Sequence, residues 1–182
     1  MMAPDIAIVG GGPCGFALAA MLQQQGIDYV VYERSAKDTP PRGGCLDIHR
    51  TSGQILLKEA GCFEEFKRYA RGGPATVHSL LDHKGNKVVT FGEGRDSPEI
   101  DRTQLRQVML SSIPKDKVRW STPVKSSFRN ENGDVVLEFE DGTTASGFKL
   151  VVGADGMRSK IRHLVSFVNS AWLEVLLLTP FR

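Results

Sequence analysis

An α/β fold that opens on a βαβ unit is predicted by three observations. A continuous apolar run, Ile6-Ala7-Ile8-Val9, ends in Gly10, Gly11 and Gly12. A helical stretch from Pro13 to Gln25 follows, closed by Gly26, and a second apolar run, Tyr29-Val30-Val31-Tyr32, comes directly after it. Strand, helix and strand in about thirty residues make a parallel crossover. Unbroken rather than alternating hydrophobicity marks strands covered on both faces.

The helix carries Phe16, Ala17, Ala20, Met21 and Leu22 for packing on a sheet, and Gly26 stands where a C-terminal cap is wanted. After a polar loop from Ser35 to Gly44, two short helices are predicted at Thr51–Ala60 and Phe63–Ala70, separated by Gly61. Val77 to Phe91 alternates as a hairpin turning at Lys84-Gly85-Asn86, and Thr103 to Ser112 reads as helix. Val118–Trp120, Val124–Arg129, Val135–Glu140 and Thr143–Phe148 then read as a β-meander, with turns at Asn132-Gly133 and Asp141-Gly142. Leu150-Val151-Val152 is one more buried strand, opening onto Gly153-Ala154-Asp155-Gly156 and a basic helix from Arg158 to Leu164.

The 182 residues suffice for one domain or one and a fraction. Hydrophobic and charged fractions of 41% and 24% exclude a disordered or bilayer-embedded class. The net charge of +2 comes from 23 basic and 21 acidic residues spread along the chain, so no one-signed field suits nucleic acid or anionic lipid. The start runs straight into the first strand and leaves no room for a secretory leader, which makes a cytoplasmic location the expectation. Cys14, Cys45 and Cys62 lack metal-ligand spacing and are expected as free thiols. His49, His78, His83 and His163 show no such spacing either, so no metal site is expected.

Gly10-Gly11-Gly12-Pro13-Cys14-Gly15 satisfies G-x-G-x-x-G at the strand-to-helix junction. The first glycine permits the tight turn, the second lets backbone approach a pyrophosphate, and the third lets helix and strand pack closely. The helix N-terminus adds unpaired N–H groups and a positive dipole end. Glu33 ends the second strand, where a carboxylate accepts both ribose hydroxyls and repels a 2′-phosphate. Together these features read as a Rossmann-like dinucleotide-binding unit, with FAD or NAD as the ligand. For Arg34 two readings stand, contact with adenine or phosphate and a solvated loop arginine. For Cys14 the alternatives are a dipole-activated thiol and a small residue filling its slot.

Two further segments point to flavin. Arg42-Gly43-Gly44-Cys45-Leu46-Asp47-Ile48-His49, together with Leu150 to Arg162 around Asp155-Gly156, resembles the single-component FAD monooxygenases. That family includes para-hydroxybenzoate hydroxylase and the tetracycline-inactivating monooxygenases, and Gly43 to Gln54 looks closest to the latter branch. The resemblance implies an FAD-binding domain over residues 1–165, with the start of a substrate-domain sheet in a hairpin at about 75–95. It implies that Gly10, Gly12, Gly15 and Glu33, with Pro13, Cys14 and Arg34 beside them, hold the ADP half of FAD. It places Asp47 beside the flavin end, Arg102 of Ile100-Asp101-Arg102-Thr103-Gln104-Leu105 against the cofactor, and Asp155 near the pyrophosphate. On chemistry alone, Asp47 caps a turn, Arg102 pairs with Asp101 or Glu99, and Asp155-Gly156 merely ends a strand; these readings stay open.

The resemblance further implies FAD as cofactor, NAD(P)H as a transient reductant, O2 as oxidant and an aromatic or polyketide-like small molecule as substrate. No catalytic side chain is required, because the cofactor carries the chemistry. After Val165 the family pattern is not recognisable. Residues 166–182 read as an atypical apolar tail, too short to cross a bilayer, and the chain reads as truncated, from a shortened or misassembled frame. An open sheet edge available for association with another chain is the expected consequence.

Overall fold

Both faces of the first two strands are buried, as their unbroken hydrophobicity demands. The computed structural model of the chain describes residues 3–40, 43–72 and 77–165. β1 (Ile6–Val9) and β2 (Tyr29–Tyr32) run parallel in the register Ile6↔Tyr29, joined by α1 (Pro13–Gln24). Alternate residues go to opposite layers. Ile8, Tyr29 and Val31 join the helical core with Phe16, Leu57, Phe66 and Val108. Ala7, Val9 and Val30 join a second core with Leu137, Phe139 and Ile161. Side chains such as Phe16, Leu57 and Phe66, each 1% exposed, stabilise the fold by about 1.5–3 kcal/mol apiece.

The helical layer is α1 with α2 (Gly53–Glu59), α3 (Phe63–Tyr69) and α4 (Arg102–Leu110). The opposite layer is an antiparallel meander of β8 (Val124–Arg129), β9 (Val135–Phe139) and β10 (Thr144–Ala145). The Tyr32 and Phe139 rings, 4.9 Å apart, couple it to the parallel sheet. β11 (Leu150–Gly153) lies parallel on the free side of β1, and β7 (Val118–Arg119) lies parallel beside β2, giving the order β11-β1-β2-β7.

Four expectations need correction. Leu150-Val151-Val152 is not a buried strand: β11 ends the order of the parallel sheet, and Leu150 is 52% exposed. Val118 does not begin the meander; it pairs with Val31 at the edge of the parallel sheet. Two three-residue strands escaped the sequence reading, β3 (Cys45–Asp47) and β6 (Glu99–Asp101), which pair antiparallel. The basic stretch after Asp155 forms turns and a single 3-10 turn at Arg162–Leu164 in place of a helix. There the Asp155 carboxylate accepts the Lys160 N–H (2.6 Å), and Ser159 Oγ accepts those of Ile161 and Arg162 (3.1 Å each). Side chains thus satisfy the donors that a helix would have used.

The hairpin forms as β4 (His78–Leu81) and β5 (Lys87–Phe91). It stands apart from both cores with Leu80, Leu81, Val88, Val89 and Phe91 exposed. The start of its expected range, at residues 75 and 76, and the apolar tail 166–182 lie outside the described residues, as does Arg42. Among the described residues, no helix is long and apolar enough to cross a membrane.

Candidate dinucleotide cleft

The C-terminal ends of β1, β2 and β11 open into a cleft of about 1020 Å³. This is where ligands bind in parallel α/β sheets. Val9 and the glycine loop enter from β1, Tyr32, Glu33 and Arg34 from β2, and Ala154 with Asp155 from β11. Backbone bonds hold these ends in line: the Gly10 N–H donates to Tyr32 O (2.8 Å) and the Ala154 N–H to Val9 O (2.7 Å). A shallower depression of about 440 Å³ between α2 and α3 contains none of the predicted site residues.

The glycines separate by what surrounds them. Gly10 has φ +106°, and a β-carbon there would lie 2.5 Å from Ala154 O. One on Gly15 would lie 1.9 Å from Gly10 O, so helix and strand touch backbone to backbone. At Gly12, the N-cap of α1, a β-carbon would meet nothing within 4 Å. No atom among the described residues therefore demands glycine at Gly12; a ligand pressed against its backbone would. No side chain caps α1, and Pro13 and Cys14 are exposed on its first turn facing the cleft. Its first N–H groups are left for an anion.

Glu33 braces the loop. Its Oε2 accepts the Gly11 N–H (2.6 Å) and its Oε1 accepts the Ser35 N–H (2.8 Å). A carboxylate has about four lone-pair sites, so each oxygen retains capacity for a ribose hydroxyl. Arg34 is exposed and also lines the cleft.

Arg102 opens α4 and lines the opposite wall. The alternative of pairing with Asp101 or Glu99 fails, because Arg71 takes both: its guanidinium donates to the two Asp101 oxygens at 3.0 Å and to Glu99 at 3.4 Å. Arg102 instead lies across the loop, where a β-carbon on Gly43 would meet its Cδ and Nε at 2.8 Å. Asp155 both caps a turn and lines the cleft, and its Oδ1 is buried with no hydrogen-bond partner among the described residues. Asp47 is the exception: it sits exposed at the end of β3, outside the residues that line the cleft.

Sequence reasoning missed several lining residues. Arg106 lies one helical turn beyond Arg102, and that i, i+4 spacing was a usable signal. Thr122, Pro123 and Glu140 arrive from the meander side, and no local pattern announces them. Arg158 and Lys160 follow Asp155. Among the described residues, five cations (Arg34, Arg102, Arg106, Arg158, Lys160) and three carboxylates (Glu33, Glu140, Asp155) line the cleft. Five against three leaves an excess of two positive charges, matching the two negative charges of a dinucleotide pyrophosphate. Among the described residues, the salt bridges use other cations, such as Arg71 and Lys125, and none of these five. The space over Gly12, the orphaned Asp155 oxygen and the charge excess all fit a bound dinucleotide.

Comparison with known proteins agrees. The chain is 34% identical over 177 residues to monooxygenase asqM of Emericella nidulans, covering 88% of this chain and 40% of that one. It matches tetracycline destructase Tet(51) at 25% identity and a TM-score of 0.68, over 91% of this chain and 43% of the other. It matches HpxO of Klebsiella pneumoniae, solved with FAD and uric acid, at 27% identity and a TM-score of 0.70, over 88% and 41%. The chain spans about 40% of the length of the curated relatives it matches. The FAD binding domain family model matches residues 3–177, past the point at Val165 where the motifs cease to be recognisable. With its glycine loop, its bracing acid and its cationic cleft in that family's fold, the chain belongs to the FAD binding domain family.

Proposed function

We propose that this chain is the FAD-binding front portion of a flavin-dependent monooxygenase that uses NAD(P)H and O2 on an aromatic or polyketide-like substrate. The cleft around Gly12 carries the reading, because its backbone is bare where a pyrophosphate would rest and its charge is positive by two. In this reading the glycine loop and the α1 N-terminus hold the pyrophosphate, Glu33 the ribose and Arg34 the adenosine side. Arg102 and Asp155 hold the middle of the cofactor, and Asp47 lies toward the flavin end.

Bound FAD would supply the electron-transfer and oxygen chemistry. The chain's own residues bind the cofactor, orient it and keep water from its phosphates, and no side chain here is assigned a proton transfer. The substrate class is supported by neighbours whose names speak of tetracycline and uric acid. A cytoplasmic location is supported by three cysteines that are all free thiols.

A second reading, a non-catalytic FAD-binding module that needs a partner chain, is favoured by the exposed apolar hairpin. Titration of the purified chain with FAD, followed by visible absorbance and fluorescence, tests the common core of both. Saturable binding is expected. Glu33→Ala is expected to weaken it roughly 10- to 100-fold, as for hydrogen bonds to a charged group worth about 1.5–3 kcal/mol. No binding by the unsubstituted chain would overturn both readings. Substrate-stimulated NAD(P)H oxidation by the chain alone would overturn the module.

A further inference from the structure

Arg106 has contacts that a cofactor-lining arginine does not need for itself. Its guanidinium donates to the carbonyl of Thr39 and, at 3.2 Å, to that of Lys37. Its Cζ lies 4.9 Å from the centre of the Trp120 ring, which in turn packs 5.7 Å from Phe16 of α1. Among the described residues no carboxylate pairs with it.

The segment it holds follows Glu33 directly. Ser35 is tied at both ends, by its N–H to Glu33 and its carbonyl to the Ser121 N–H. Beyond it, among the described residues 36–40, the only other hydrogen bond is the local one from the Thr39 N–H to Ala36 O. Long-range anchorage of this segment therefore rests on Arg106. Thr39, Pro40 and Arg106 all line the cleft. A planar fork reaching two carbonyls while stacked on an indole is a task for arginine rather than lysine.

We propose that Arg106 is a positioning residue for the adenosine diphosphate end of the cofactor. Its fork fixes residues 37–39 as the wall beyond Glu33 and keeps an unpaired positive charge at the cleft. The inference rests on the dinucleotide reading above and adds a determinant to it. Because it concerns the adenosine end, ADP alone is a sufficient probe.

The test uses the 182-residue chain with Arg106→Ala and Arg106→Lys, titrated with FAD and ADP and digested briefly with trypsin. In Arg106→Ala, both ligands are expected to bind at least tenfold more weakly, which is about 1.4 kcal/mol. Cleavage after the exposed Lys37 is expected to accelerate, and ADP is expected to protect that site only in the unsubstituted chain. Arg106→Lys, which keeps the charge without the fork, is expected to fall between and guards against simple misfolding of the alanine variant. If the unsubstituted chain binds both ligands and the two variants match its affinities and its cleavage after Lys37, the inference fails while the cleft reading stands. If the unsubstituted chain binds neither ligand, both fall together.

Discussion

A β-carbon added to Gly15 would sit 1.9 Å from the Gly10 carbonyl oxygen, whereas one added to Gly12 would meet no atom of the described residues within 4 Å. The two glycines therefore answer to different constraints, packing at Gly15 and a ligand at Gly12. Gly15→Ala is expected to destabilise the fold by about 1–3 kcal/mol, as overpacking does, and to lower the melting temperature with or without ligand. Gly12→Ala is expected to leave the unliganded melt unchanged, since its φ of −77° suits any residue. Its affinity for FAD is expected to drop at least tenfold, a loss of about 1.4 kcal/mol. A melt and a titration on each variant separate the two. The fingerprint was legible at this scale because its glycines and Glu33 recur at fixed spacing within one strand–helix–strand unit. The spacing from Arg102 could have marked Arg106 as a cleft residue, but its anchoring role was not legible, because the carbonyls it holds lie 67 and 69 positions earlier in the chain.

At the scale of elements, the short β3–β6 pair is held by an acid cluster around Arg71. Its guanidinium holds the Asp101 carboxyl below the usual range, and Glu99 is lowered first by the Cys45 thiol that donates to it and then by Arg71. A carboxylate whose folded pKa is depressed contributes stability that is present above its unfolded value, about 3.9 for Asp and 4.3 for Glu. That contribution is lost as pH falls through the folded value. The melting temperature is expected to decline below about pH 4, and Arg71→Ala should flatten that decline while lowering stability near neutrality. Melts from pH 7 to pH 3 on both proteins check this. Elements of four or more residues were legible from their periodicity, as β1, β2 and α1 were. β3 and β6, at three residues, hold too little pattern to read, and β7 was misassigned because partner choice is not a local property. After Asp155, side-chain acceptors outcompeted a helix that the basic run alone suggested.

At the scale of the whole molecule, two cores share one parallel sheet, and the hairpin lies outside both. Leu80 and Val88, 57% and 64% exposed, belong to an apolar surface of the kind that marks an interaction site. We propose that it associates with further polypeptide. Leu80→Lys combined with Val88→Lys is expected to reduce self-association in size-exclusion chromatography with light scattering, without changing FAD affinity. The layered fold was legible in outline because unbroken hydrophobicity in β1 and β2 requires cover on two sides, though the sequence did not say which elements supply it. The pairing of β1 with β11 also sets a timetable. Ile6 finds its partner Leu150 only after the intervening residues have been made, and Lys149 reaches back across 144 positions to Asp5. At roughly 5–20 residues per second of synthesis, one edge of β1 waits roughly 7–30 s for its neighbour. During that interval the nascent chain presents Ile6–Val9 as a strand paired on one edge only, open to wrong partners while the ribosome still holds it.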